Sequence, residues 1–182
     1  MNNCIWVLLL LPGLLLGQAK NKAPAQSSSP TQSAHGGMHG LPPEIERTLK
    51  IKLAVIQHFV SQPGDQGETL FWQTKGKLTF GIVNYTEEQN PQFKALFIAQ
   101  YKTMYSGYIT MISQGDVKAT NQFMQLLVRQ ENEFRALLSP TQLKKYREAF
   151  ATMETSNREA YDSYTGLFFS DRLMAEYQKG FR

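Results

Sequence analysis

The chain has 182 residues, a net charge of +4 from 19 basic and 15 acidic side chains, and one cysteine. Two of the basic residues, Lys20 and Lys22, precede the candidate domain over 44–182, so that domain holds 17 basic against 15 acidic residues, and this near balance speaks against a polyanion-binding surface such as one for nucleic acid. Cys4 stands before the first apolar run, so a chain cut behind that run has no thiol for disulfides, metal ligation or thiol catalysis.

The apolar run covers 5–16, broken only by Pro12-Gly13. A membrane-spanning helix needs about 20 apolar residues and a signal-peptide core roughly 7 to 15, so the run predicts a signal peptide over 1–19. Gly17-Gln18-Ala19 puts small residues where a signal peptidase reads them, which predicts cleavage after Ala19 and export to the periplasm or the extracellular space. No Lys or Arg precedes the run, so an uncleaved anchor is the alternative.

Residues 20–43 are rich in Ser, Gln, Pro and Gly. Such a composition buries too little to offset the entropy of ordering a backbone, so it predicts a disordered polar linker. His35, Met38 and His39 are of the types that bind copper or zinc. On a glycine-hinged chain they have no preorganised geometry, so metal binding or metal sensing through them is the alternative reading and no cofactor is expected.

From residue 44 onward the apolar spacing is helical, and the chain predicts a single all-α domain of about four helices, as a bundle or a long helical hairpin. The first helix, over 43–62, carries Ile45, Leu49, Leu53, Ile56 and Val60 as one stripe and stops at Pro63-Gly64. His58 lies off that stripe, with no second ligand at metal-site spacing. Residues 68–86 mix β-branched and aromatic side chains with Gly76 and Gly81. They predict a loop leading into helix, or a small β-hairpin turning at Gly76. Asn84-Tyr85-Thr86 also satisfies a glycosylation sequon.

Asn90-Pro91 reads as an N-cap followed by proline at the first helical position. The second helix follows to about Gly115, with a broad face of Phe93, Leu96, Phe97, Tyr101, Met104, Tyr105, Tyr108, Ile109 and Ile112. Asp116 caps the third, which directs Phe123, Leu127, Phe134, Leu137 and Leu138 inward, and the short turn makes the two antiparallel. Ser139-Pro140-Thr141-Gln142 is a capping box that opens a long fourth helix. Its stripe runs through Tyr146, Phe150, Met153, Tyr161, Tyr164 and Phe168, bends near Gly166, and resumes at Leu173, Met174 and Tyr177.

Leu138-Ser139-Pro140-Thr141-Gln142 resembles the L-T-x-x-Q motif of the periplasmic Spy and CpxP proteins, with Leu138, Ser139 and Gln142 at the motif positions. Tyr85-Thr86-Glu87-Glu88-Gln89 is a second, poorer copy. The resemblance implies a curved helical cradle, often dimeric, that holds unfolded clients outside the cytoplasm without ATP. The 8 Tyr, 11 Phe and 7 Met suit such a role, because thioethers and phenol rings adapt to varied partners. A client surface is expected among Tyr105, Tyr108, Tyr161, Tyr164, Phe168, Phe169 and Tyr177, limited to those that prove exposed. An enzyme is not expected. The chain has no nucleophile elbow, zinc-protease or phosphate-loop motif, the domain has one histidine, Glu131 and Glu133 cannot face the same way on a helix, and pairs such as Asp171 and Glu176 read as ordinary surface acids.

Overall fold

A computed structural model describes residues 41–181. The expected signal segment, its cleavage site and nearly all of the polar linker therefore lie outside the described residues. Those described are all-helical, in seven helices and not about four: α1 Pro43–Val60, α2 Gln66–Val83, α3 Asn90–Gln114, α4 Val117–Ala136, α5 Pro140–Ser156, α6 Arg158–Thr165 and α7 Asp171–Gly180.

Two differences account for the count. The stretch over 68–86 is neither loop nor hairpin but lies mostly in α2, whose buried residues Gly67, Phe71, Lys75, Thr79 and Val83 recur every fourth position. That ladder is hard to see in sequence, because a glycine, a lysine and a threonine occupy three of its five rungs. Leu70, Trp72, Leu78, Phe80 and Ile82 lie off it, so the apolar residues surround the helix. The long fourth helix is in fact three. Asn157 ends α5 and caps α6, its side chain accepting from the Ala160 amide at 3.0 Å. Residues 166–170 then separate α6 from α7, which Ser170 caps by accepting from the Leu173 amide.

Several local signals hold as read. Asp116 accepts from the Ala119 amide at 2.7 Å. Gly115 closes α3 at φ 64°, and Gly64 turns the α1–α2 connection at φ 54°, where a side chain would be strained. Ser139 and Gln142 form the full capping box. Asn90 is instead the first residue of α3 and provides no side-chain cap.

Helix α2 is central, packing on α1, α3 and α5, while α4 touches α3 and α7, and α6 touches α1 and α5. The core is aromatic, with Phe134 in ring contact with Phe93, Phe97, Tyr146 and Phe168 at centroid separations of 5.4–6.0 Å. Gly67 sets the approach of α1 to α2, since a Cβ there would overlap the Phe59 carbonyl oxygen and the Tyr101 hydroxyl. Gly67→Ala, which in an open helix would stabilise by up to about 1 kcal/mol, is therefore expected to destabilise by about 1–3 kcal/mol, read from the urea midpoint at unchanged m-value.

Candidate functional site

Three features could bear function: an exposed apolar strip, a capping box joined to a second glutamine-closed turn, and a buried charged cluster. The strip lies on the second half of α3. Gly107 lets α3 approach α4 closely, since a Cβ there would sit 2.9 Å from Leu126 and 3.1 Å from Phe123. That contact turns Met104, Tyr108 and Met111 inward. Tyr105, Ile109 and Ile112, spaced i, i+4 and i+7, are left outward at 42%, 46% and 60% exposure, with Val117 at 63% just past the turn. No charged residue occurs over 103–115.

The aromatic residues expected to meet clients divide sharply. Tyr105 is exposed and Tyr164 half-buried, whereas Tyr108, Tyr161, Phe168, Phe169 and Tyr177 are buried. Sequence periodicity marks a stripe as apolar but does not reveal how wide a face its neighbours cover. Ile109, Ile112 and Val117 belong to the exposed surface, although the first two recur at the spacing of the apolar face.

The capping box and the Thr86–Gln89 turn meet in space. Gln142 receives the Ser139 amide at its Oε1, 3.0 Å, and Gln89 receives the Thr86 amide in the same way, 3.0 Å. The two side-chain amides then pair reciprocally, Gln142 Nε2 donating to Gln89 Oε1 at 2.8 Å and Gln89 Nε2 to Gln142 Oε1 at 3.1 Å. Each glutamine thus closes its own turn and ties the α2–α3 connection to the α4–α5 connection.

The buried cluster is the feature that sequence reading missed. Lys52, Lys75 and Glu131 are 2%, 3% and 1% exposed. Each occupies a core position: Lys52 between Leu49 and Ile56, Lys75 between Phe71 and Thr79, Glu131 between Leu127 and Phe134. A charge at helical spacing within an apolar stripe was the available signal. Glu131, which the sequence offers only as a carboxylate turned away from Glu133, has its Oε1 accepting from Tyr146 Oη and from Arg135 Nε, both at 2.8 Å, while its Oε2 has no hydrogen-bond partner.

The cluster clamps backbone. Lys52 Nζ donates to the Phe168 carbonyl at 2.9 Å and reaches the Gly166 carbonyl at 3.5 Å. Arg135 Nη2 donates to the Phe169 carbonyl at 2.6 Å, and Tyr146 Oη, whose one proton goes to Glu131, lies 3.1 Å from the same oxygen. An irregular segment entering a core carries carbonyls that no helix satisfies, and buried donors meet that need. Lys75 lies among the rings of Phe71, Phe97, Phe134 and Phe168, 5.1–5.9 Å from their centroids, and donates to Gln100 Oε1 at 2.9 Å.

Burial pulls the Lys52 amine down to about 7, with Glu131 opposing the shift and Lys75 adding to it. Burial likewise lowers Lys75 to about 8, with Glu131 and Glu133 opposing. Burial, followed by the Glu131 charge, raises the Tyr146 hydroxyl well above its usual value. A neutral lysine is a nucleophile, but these two are fully covered, and the open groove lined by Pro63, Asp65 and Leu70 and the cleft of about 170 Å³ lined by Trp72, Asn90 and Lys94 include neither. The arrangement fastens segment 166–170 to α1, α4 and α5.

His35, Met38 and His39 lie outside the described residues. His58 is exposed on α1, and no group of three or more His, Cys, Asp or Glu suited to a metal occurs among the described residues. No helix among them is long and apolar enough to cross a membrane. The chain matches no protein-family model, no curated protein and no solved structure.

Proposed function

We propose that this is an exported helical binding protein that holds unfolded or aggregation-prone polypeptide outside the cytoplasm without nucleotide. The chaperone class comes from the resemblance at Leu138, Ser139 and Gln142. The contact surface is the α3 strip, and the observation carrying the reading is its combination of exposed Tyr105, Ile109 and Ile112 with the absence of charge over 103–115. A neutral strip with hydroxyl-bearing Ser106, Thr110 and Ser113 beside it suits apolar client segments of varied sequence, since neither a fixed charge pattern nor a shaped pocket restricts them.

The test is light scattering of a chemically denatured model client diluted into buffer with the purified protein and no nucleotide. Suppression near stoichiometric ratios is expected. Replacing Tyr105, Ile109 and Ile112 together by Ser should abolish it while leaving the helical circular dichroism unchanged, because all three side chains are exposed. Phe80→Ser, on α2 beside Tyr85 at the other end of α3, should not. Scattering unchanged by the wild-type protein would rule out the holding activity.

A further inference from the structure

The cleft of about 170 Å³ lies between α2 and α3 and joins aromatic walls to a basic rim. Trp72 and Gly76 line it from α2 at a spacing of four, and buried Phe93 and Phe97 form its floor from α3 at the same spacing. Tyr85 joins them from the connection between the helices, its ring 4.8 Å from that of Phe93 and its Oη 3.4 Å from the Gly76 carbonyl oxygen. A glycine inside a helix costs about 0.5–1 kcal/mol relative to alanine. No tight helix contact demands Gly76, since a Cβ there would meet only the Tyr85 hydroxyl at 3.7 Å, and what the missing side chain leaves open is the cleft itself. Lys77 and Lys94 reach the rim, one from each helix, and both are exposed. No acidic side chain lines the cleft, and none stands three or four residues from either lysine. By contrast Lys50, Lys144 and Lys179 each pair with a glutamate at that spacing. The Lys94 amine instead lies over the Trp72 ring, 4.5 Å from its centroid.

We propose that this cleft binds a small aromatic carboxylate, the ring entering beside Trp72 and Tyr85 and the carboxylate accepting from the Lys77 and Lys94 ammonium groups at the rim. Size selects a single ring, because a cavity of about 150 Å³ takes one benzene molecule. The two halves of the cleft together select the class. An uncharged ring would leave both ammonium ions without a counter-charge, and a small inorganic anion would leave the aromatic walls unfilled. A carboxylate on the ring meets both needs, with two oxygens to receive two donors. The cleft uses the first half of α3, apart from the strip that begins at Tyr105, so it stands or falls independently of the proposed holding activity.

Nitrogen-15 spectra of the whole protein titrated with benzoate at neutral pH test this. The reporter is the Trp72 indole N–H, told from that of Trp6 by its loss in Trp72→Phe. Benzoate should shift it saturably with a dissociation constant on the order of 1 mM. Benzamide, which keeps the ring and lacks the charge, should bind about 10-fold more weakly, and acetate, which keeps the charge and lacks the ring, should not saturate in the same range. Replacing Lys77 and Lys94 together by Gln should bring benzoate down to the benzamide value without disturbing the fold, because both side chains are exposed. Gly76→Leu, which fills the cleft, should abolish the shift by either compound. Should Gly76→Leu fail to fold, the lysine pair and the two control compounds decide. No saturation by benzoate below about 10 mM, equal affinity for benzoate and benzamide, or shifts confined to the amides of 103–115 would each overturn the site.

Discussion

Glu131→Ala is expected to lower stability by about 3–5 kcal/mol, a large share of what holds a domain of this size together. The change removes the one buried carboxylate in contact with Arg135 and Tyr146 and leaves Lys52 and Lys75 enclosed without it, while Arg135 keeps Asp171 alone. The cost is mostly that of stranded charge and not of one lost hydrogen bond, so Glu131→Gln, which preserves shape and an acceptor but not charge, should fall between alanine and wild type. Glu148→Ala is the matched surface control, because its ion pair with Lys144 is exposed on both sides and such pairs contribute about 0–1 kcal/mol. Urea titrations at neutral pH read all three. Equal midpoints for Glu131→Ala and Glu148→Ala would show that the buried cluster is not coupled to folding.

The second large effect is an unusual pH profile. Lys52 and Lys75 hold protons to about 7 and about 8 in the folded chain and to about 10.4 when unfolded. Between those limits the unfolded chain binds more protons, so stability rises with pH. The cost of the buried amines is fully present below about 7 and is relieved as pH climbs toward 10. Tyrosines act in the opposite sense at the upper end. Burial raises Tyr146, Tyr161 and Tyr177, so the unfolded chain loses those protons first and stability falls above about 10. The maximum should therefore lie near pH 9–10, with Tm about 5 °C or more above its value at pH 7. The double variant Lys52→Met, Lys75→Met should flatten the rise, and a wild-type Tm that falls steadily above pH 7 would contradict the assignment.

Much of the fold was legible because its signals are local. Asp116 and the Ser139–Gln142 box announce their helices through the need of free amides for acceptors, and Pro63-Gly64 ends the first helix because neither residue continues it. α2 was not legible, since the spacing of four that defines its buried face runs through Gly67, Lys75 and Thr79, which hydropathy reads as polar or neutral. The break at 166–170 falls where the sequence places a bend, near Gly166, but the one at Asn157 was hidden for the opposite reason. The apolar stripe continues through Tyr161, Tyr164 and Phe168, and periodicity does not register so short an interruption.

The candidate site shows the same division. The exposure of Tyr105 beside the burial of Tyr108 depends on Gly107 drawing α4 against one side of α3, a contact between elements that no local pattern encodes. The sequence by itself determined the helical class and the starts of α4 and α5, which follow from composition and from interactions within a few residues. Only the tertiary structure decided which aromatic rings are covered, that Gln89 meets Gln142, and that Lys52, Lys75 and Glu131 are enclosed together. Those outcomes follow from how helices distant in sequence pack, where close approach and desolvation, not local propensity, set the energies.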